Sequence, residues 1–183
     1  LITNQWSRLP MTIKSRCQQV LFYSPEKTIA SEWLQQQGPD KKQAELLINL
    51  SSGAPLAAKK LYTEDFLTKR QQLFSDWVNW QIGKLTVSQF IKNGSSLSIL
   101  ELLSQLQSWY ADAFKIQQGV SITQIANLDL VDTLTKLVTK VFKKSLLPAY
   151  QQIEKTHLEM LASPNLNSEL VLTDLLMKLK VYS

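Results

Sequence analysis

The sequence predicts a mainly α-helical protein, and three observations support that prediction. From residue 63 onward, apolar residues recur at three- and four-residue spacing, which is the period of an amphipathic helix. Helix start signals are frequent, and both Asp40 with Gln43 and Ser98 with Glu101 have the spacing of a capping box. Only the first residues and residues 20–23 have the length and composition of a strand. We therefore expect helices throughout, with a remnant of sheet near the start.

The first third of the sequence predicts strand-like segments followed by three short helices. Residues 1–4 have the character of a strand end, and residues 9–16 can form about two helical turns. A Pro in the first turn and a Gly-Pro stop place one helix within residues 24–37. Asp40 begins a second helix, and Pro55 begins a third. These three helices are expected to form a compact unit.

The rest of the chain predicts longer helices. Trp77 lies on the apolar stripe of the first of them, and Ser98 begins the next after a loop at residues 92–96. Pro148 is expected in the first turn of a helix that runs to about residue 162. A last leucine-rich helix follows, so this part is expected to be a bundle of roughly five helices. Its apolar faces exceed what one small core requires, which indicates a protein partner.

Composition limits the kinds of protein that the chain can be. Its 183 residues are 44% hydrophobic and 19% charged, with a formal net charge of +5, as expected for an ordinary folded chain. No stretch approaches the roughly 18 apolar residues of a membrane span, so we expect a cytoplasmic protein without a membrane partner. One cysteine, Cys17, and one histidine, His157, exclude a disulfide framework and a zinc site made by this chain alone. We expect no metal, and His157 is expected to be packed or half-exposed.

One local pattern stands out near the start. Residues 8–17 read Arg-Leu-Pro-Met-Thr-Ile-Lys-Ser-Arg-Cys and follow Leu-Ile-Thr-Asn at residues 1–4. The segment resembles the Ser-Arg-Cys segment of AAA+ clamp-loader subunits, in which a strand ends in a polar sensor-1 residue and a short helix carries an arginine to the domain edge. On that resemblance Asn4 stands at the sensor-1 position, and Ser15, Arg16 and Cys17 form the Ser-Arg-Cys segment.

The resemblance implies that Arg16 is an arginine finger that acts in trans on ATP bound by a neighbouring subunit. A guanidinium stays charged and offers a planar fork of donors, so it can stabilise the charge that spreads over a transferred phosphoryl group. The structural alternative is an arginine buried at a helix end. We interpret Cys17 as a small buried hydrophobe rather than a reactive thiol.

Two further segments refine the resemblance. Residues 167–179, which Asn167 opens, resemble the C-terminal collar helix of a bacterial DNA polymerase III clamp-loader subunit. Subunits of this family that hydrolyse ATP carry a sensor-2 arginine after a Gly-Ser turn, whereas this chain has Leu56 after Gly53-Ala54-Pro55. A leucine cannot neutralise a phosphate, so the resemblance points to a subunit that does not hydrolyse ATP.

The resemblance also implies a domain organisation and a role. It divides the chain into the end of an AAA+ core at residues 1–23, a three-helix lid at 24–62 and a helical collar, an oligomerisation domain, at 63–183. The chain would be the C-terminal part of a non-catalytic subunit of the DNA polymerase III clamp loader, which helps load the sliding clamp during DNA replication. It would hold no cofactor itself, since ATP is bound by partner subunits. Its partners would be the gamma or tau and delta subunits through the collar, together with the sliding clamp and primed DNA.

Three alternatives remain open. A motor subunit of gamma or tau type is the nearest one, and a stand-alone helical adaptor or nucleic-acid-binding module is supported by the net charge and the helix count alone. An enzyme with its own active site is the weakest, because Gly83-Lys84 lacks the earlier glycine of a phosphate-binding loop. A basic run, Lys136, Lys140, Lys143 and Lys144, is interpreted as a solvated helix face rather than a nucleic-acid contact.

Overall fold

A computed structural model describes residues 2–3, 6–163 and 165–180, without the side chain of Arg8, and over these residues it is all-helical. It contains ten α-helices and no strand within that range. The helices are α1 (Met11–Lys14), α2 (Lys27–Gln35), α3 (Lys41–Leu50), α4 (Pro55–Thr63), α5 (Phe66–Gln81), α6 (Val87–Asn93), α7 (Ile99–Gln117), α8 (Val131–Lys140), α9 (Leu147–Ala162) and α10 (Ser168–Leu179). Short 3₁₀ turns join several of them.

Helices α2, α3 and α4 pack around a small core of their own. Its buried centre consists of Ala30, Leu34, Ala44, Leu47, Ile48 and Ala58. Asp40 caps α3, since its Oδ1 accepts from the Gln43 N–H at 2.8 Å, as the sequence predicts. Gly38 turns the chain between α2 and α3 with φ +128, and a Cβ there would lie 3.1 Å from the Tyr62 ring. The predicted three-helix unit is therefore present.

Helices α5 to α10 form a second, larger bundle around an aromatic centre. The Trp77 and Trp109 rings lie 5.4 Å apart between centroids, and Phe74 meets Trp109 edge-on at 5.1 Å. α7 runs through the middle and packs against both α8 and α9. Most side chains of the apolar stripes predicted for this region face the same core, whereas Leu67 near the start of α5 packs against the core of the three-helix unit.

The bundle contains one more helix than the sequence predicts. The chain turns at Gly83, which has φ +79, and a capping box between Thr86 and Gln89 then begins α6. The predicted loop at residues 92–96 is instead the end of α6 followed by a 3₁₀ turn. The Thr-x-x-Gln spacing is a sufficient signal for this helix, and the prediction overlooks it.

The predicted strand at residues 20–23 is wrong. The four side chains are 60–94% exposed, and the backbone has no regular structure there. A strand is stable only when a neighbour pairs its N–H and C=O groups, and the described residues supply no such neighbour. Residues 9–16 form the single turn of α1 rather than two turns, and Ile2 and Thr3 are not in a strand.

The start of α7 is a fully formed capping box. The Ser98 Oγ and N–H both donate to Glu101 Oε2 at 2.8 Å, and Ser98 Oγ accepts from the Glu101 N–H. These bonds lower the pKa of Glu101 from its ordinary value, the side-chain bond from Ser98 being the largest cause. The box therefore stabilises the fold while Glu101 is ionised.

Ser98→Ala is expected to lower the free energy of unfolding by about 1 kcal/mol at pH 7. The pKa of Glu101 is lower in the folded protein than in the unfolded chain. The capping box therefore contributes fully to the free energy of unfolding above the unfolded-state pKa, and this contribution is lost as pH falls through the folded-state pKa. The loss of unfolding free energy caused by Ser98→Ala should therefore be smaller at about pH 3, below the ordinary pKa of a glutamate, than at pH 7. Urea unfolding at both pH values measures this, with Ser104→Ala in the same helix as the control. An equal loss at both pH values would contradict it.

Candidate functional site around Arg16

Arg16 lies directly after α1, at the end of a locally stabilised turn. The backbone N–H of Arg16 donates to Ile13 O at 3.1 Å, and Ser15 Oγ donates to Thr12 O at 3.3 Å. Lys14 Nζ donates to Ser7 O at 3.1 Å, which ties α1 to the preceding 3₁₀ turn. α1 buries no residue, so these local bonds rather than a core define its shape.

The Arg16 side chain is exposed to solvent. Within the described residues its guanidinium forms no hydrogen bond or ion pair. Arg70 provides the contrast, since its side chain is 1% exposed and its guanidinium holds three short hydrogen bonds. Arg16 therefore does not have the environment of a structural arginine in this chain.

The structure shows whether the other predicted site residues are exposed, except for Asn4. Ser15 is exposed beside Arg16, and Asn4 lies outside the described residues. Cys17 is exposed, so its interpretation as a buried hydrophobe is wrong. The reason is that no described element covers residues 15–23, whose side chains are all exposed. Leu56, at the place compared with sensor 2, is 76% exposed on α4.

Other kinds of site find little support in the described part of the chain. No three His, Cys, Asp or Glu side chains there come together as metal ligands. Among the described helices, none combines the length and the hydrophobicity that crossing a membrane requires. His157 is half-buried on α9, with Nδ1 3.2 Å from Gln107 Oε1 on α7, as a packed histidine should be.

A buried polar network in the bundle is not predicted from the sequence. Arg70 Nη1 donates to Asp129 Oδ2 at 2.6 Å, and Arg70 Nη2 donates to Asn127 Oδ1 at 2.6 Å. Asp112 Oδ2 accepts from the Asn127 backbone N–H at 2.8 Å and from Asn127 Nδ2 at 2.7 Å. The network ties the segment before α8 to both α5 and α7. The sequence does contain one signal that Arg70 is buried, because Arg70 lies on the same helical stripe as the apolar residues Leu73, Phe74 and Trp77.

The same segment borders a groove between the three-helix unit and the bundle. The groove has a volume of about 470 Å³ and is lined by α3, by the start of α5, and by Leu128 and Asp129. Asp129 is already paired with Arg70, and the lining side chains Lys42, Glu45 and Gln71 lie on the outer faces of α3 and α5. The groove is a seam between two packed units and has no arrangement of acid, base and nucleophile.

Apolar side chains remain exposed on the last two helices, which the sequence does not single out within the surplus of apolar surface that it predicts for the whole bundle. On α9, Leu158 is 62% and Leu161 is 57% exposed. On α10, Leu170 is 68% and Met177 is 64% exposed. This surplus apolar surface lies on a bundle whose core is already filled.

The model of the family "DNA polymerase III, delta subunit, C terminal" matches residues 64–180, which is the range of α5 to α10. The DNA polymerase III subunit delta' of Pseudomonas aeruginosa is 26% identical over an alignment of 180 residues that covers 97% of this chain and 55% of that protein. Subunit delta' of Escherichia coli is 25% identical over 195 residues, covering 100% of this chain and 54% of that protein. The chain thus spans about half the length of these curated relatives. It belongs to the family of C-terminal domains typified by the DNA polymerase III delta subunit, and it is a homologue of the delta prime proteins.

Proposed function

We propose that the chain is the C-terminal part of a delta prime subunit and works as a non-catalytic component of the DNA polymerase III clamp loader. The observation that carries this proposal is the similarity to delta prime proteins along nearly the whole chain. On this proposal, residues 1–23 are the end of an AAA+ core, residues 24–62 the lid and residues 63–183 the collar. The two separate cores agree with a division into lid and collar.

The collar would hold this chain to the other clamp-loader subunits. Its supporting feature is a pair of exposed apolar side chains on each of the last two helices, Leu158 with Leu161 on α9 and Leu170 with Met177 on α10, at spacings that place each pair on one helix face. Partner binding would remove these apolar side chains from water, which favours association. The partners would be gamma or tau and delta subunits, and the sliding clamp and primed DNA would be bound by the whole assembly.

Arg16 would act as the arginine finger of this subunit. An arginine that acts on ATP bound by a neighbouring subunit needs a guanidinium that is exposed and not bonded to its own chain. Arg16 is exposed, and its guanidinium has no partner among the described residues. Ser15 and Cys17 are also exposed, so the turn is open on both sides of the arginine. The one-turn helix α1 holds the backbone of Arg16 in position.

The proposal requires clamp loading to depend on this chain. A mixture of the partner subunits, the sliding clamp and primed DNA should load clamps when the longer protein that carries this chain is added. The same protein with residues 66–180 deleted should fail, because the collar is the proposed attachment. Loading that proceeds equally well with the deleted form would contradict the proposal.

The isolated chain is expected to bind no ATP. It lacks a phosphate-binding loop, and Leu56 offers no positive charge to bound phosphates. Titration calorimetry with MgATP should give no binding heat, while a motor subunit of the clamp loader binds under the same conditions. Stoichiometric binding with a micromolar dissociation constant would contradict the assignment to a non-hydrolysing subunit and favour the motor type.

A further inference from the structure

Helix α8 has a basic outer surface that the proposed function does not use. Leu134 and Leu137 face the core, whereas Lys136 and Lys140, one turn apart, are exposed. Lys143 and Lys144 lie three and four residues after the end of the helix and are also exposed. We call these four lysines the α8 lysine surface.

Much of the surplus charge of the chain lies on this surface. The formal net charge is +5, and without these four lysines it would be +1. The four charges fall within nine consecutive residues of a chain whose other charges are close to balanced. A local surplus of this kind creates an attractive field for a polyanion.

The lysines of α8 also form no ion pair with a described residue. Some lysines on other helices do pair with a carboxylate four residues away, as in Lys60 with Glu64 at 3.7 Å and Lys178 with Asp174 at 2.6 Å. Lys140 has Lys136 four residues before it and Lys144 four residues after it. Asp132 lies one turn before Lys136, yet none of the four lysines forms an ion pair with a described residue. Lys136 and Lys140 lie one turn apart on α8, so their like charges repel each other, and an anionic partner would relieve that repulsion.

The turn that carries the last two lysines is held in place by its backbone. Gln117 Nε2 at the end of α7 donates to Lys144 O at 2.9 Å. Gln117 Oε1 accepts from the Leu146 N–H at 3.0 Å. The backbone that carries these two lysines is therefore fixed, and changes to the lysine side chains leave these bonds intact.

The neighbouring side chains indicate which polyanion fits. The exposed residues next to the lysines in sequence are polar, including Thr135, Thr139 and Ser145, and α8 itself exposes no large apolar side chain, the nearest in sequence being Leu128 and Leu147 on either side. A membrane-binding helix would present large apolar groups, and a single-strand site would present aromatic rings for base stacking. We propose that the α8 lysine surface binds the phosphate backbone of duplex nucleic acid, without reading its sequence.

Binding of the complete 183-residue chain to a fluorescein-labelled DNA duplex of about 20 bp tests this proposal by anisotropy. Binding should be measurable at low salt and should weaken with a log–log salt slope of about −3 to −4, since each neutralised phosphate contributes about −0.9. Lys136→Glu with Lys140→Glu should weaken binding at least about tenfold, because two phosphate contacts become repulsive.

Lys84→Glu with Lys92→Glu is the matched control. Both lysines are exposed in the same bundle, and the double change alters the net charge equally. The proposal expects this control to bind within about threefold of the unchanged chain at about 0.1 M salt, where distant exposed charges are largely screened. Circular dichroism verifies that both variants are folded.

Three outcomes would overturn the proposal. Equal weakening in both variants would mean that only net charge matters. Absence of binding by the unchanged chain at low salt would remove the site altogether. Stronger binding to vesicles containing phosphatidylserine than to the duplex would identify an anionic lipid surface as the partner instead. None of these results depends on clamp-loader assembly, so they leave the proposed function untouched.

Discussion

Arg16→Ala, in the longer protein assembled with its partner subunits, is expected to lower ATP turnover at the neighbouring site by about a thousandfold. The guanidinium would no longer stabilise the charge that develops on the transferred phosphoryl group. Folding and assembly should be unchanged, because Arg16 is exposed and its guanidinium forms no hydrogen bond or ion pair with a described residue. Single-turnover hydrolysis in the presence of the clamp and primed DNA measures the effect.

Two further variants separate the arginine finger from a general charge effect. Arg16→Lys keeps the charge but lacks the planar fork, so it should recover only part of the lost rate. Gln18→Ala changes an exposed neighbour and should leave turnover unaltered. Normal turnover in Arg16→Ala would show that Arg16 does not act on a neighbour's ATP.

Arg70→Ala is expected to lower the free energy of unfolding of the chain by about 3–5 kcal/mol. The side chain is fully buried, and its removal leaves Asn127 Oδ1 and the Asp129 carboxylate without their donor. A loss of this size is a large part of the roughly 5–15 kcal/mol that is typical for a folded domain. Urea denaturation followed by circular dichroism measures it.

The exposed neighbour provides the control for Arg70. Lys69→Ala should change the free energy of unfolding by no more than about 0.5 kcal/mol. In a double-mutant cycle, Arg70→Ala and Asp129→Ala together should cost less than the sum of the two single changes, since they share one ion pair. A small effect of Arg70→Ala, or additive costs, would mean that the network does not stabilise the bundle.

The features that the sequence predicts correctly are local ones. The capping boxes at Asp40 and Ser98 and the Pro in the first turn of α9 depend on residues within a few positions of each other. The apolar stripes of the bundle repeat with the helical period and identify its core-facing residues. These signals need no knowledge of the tertiary fold.

The features that the sequence does not predict depend on distant partners. Residues 20–23 have strand composition, but without a neighbouring strand in the described residues they remain irregular and exposed. Arg70 reaches Asp129 across 59 positions, so neither residue reveals the pair. Free cysteine is usually buried, which predicts burial of Cys17, yet exposure is decided by what covers the segment. For Arg16 the proposed role comes from the resemblance alone, and the structure adds that its side chain is exposed.

The most direct test of the central claim is size-exclusion chromatography of the 183-residue chain with a clamp-loader motor subunit. At about 0.5 M salt, surface charges are strongly screened while apolar contacts persist. If the bundle of α5 to α10 is a collar, the two proteins should elute together as one complex at this salt concentration. Separate elution at both about 0.5 M and physiological salt, with each protein shown to be folded, would contradict the claim.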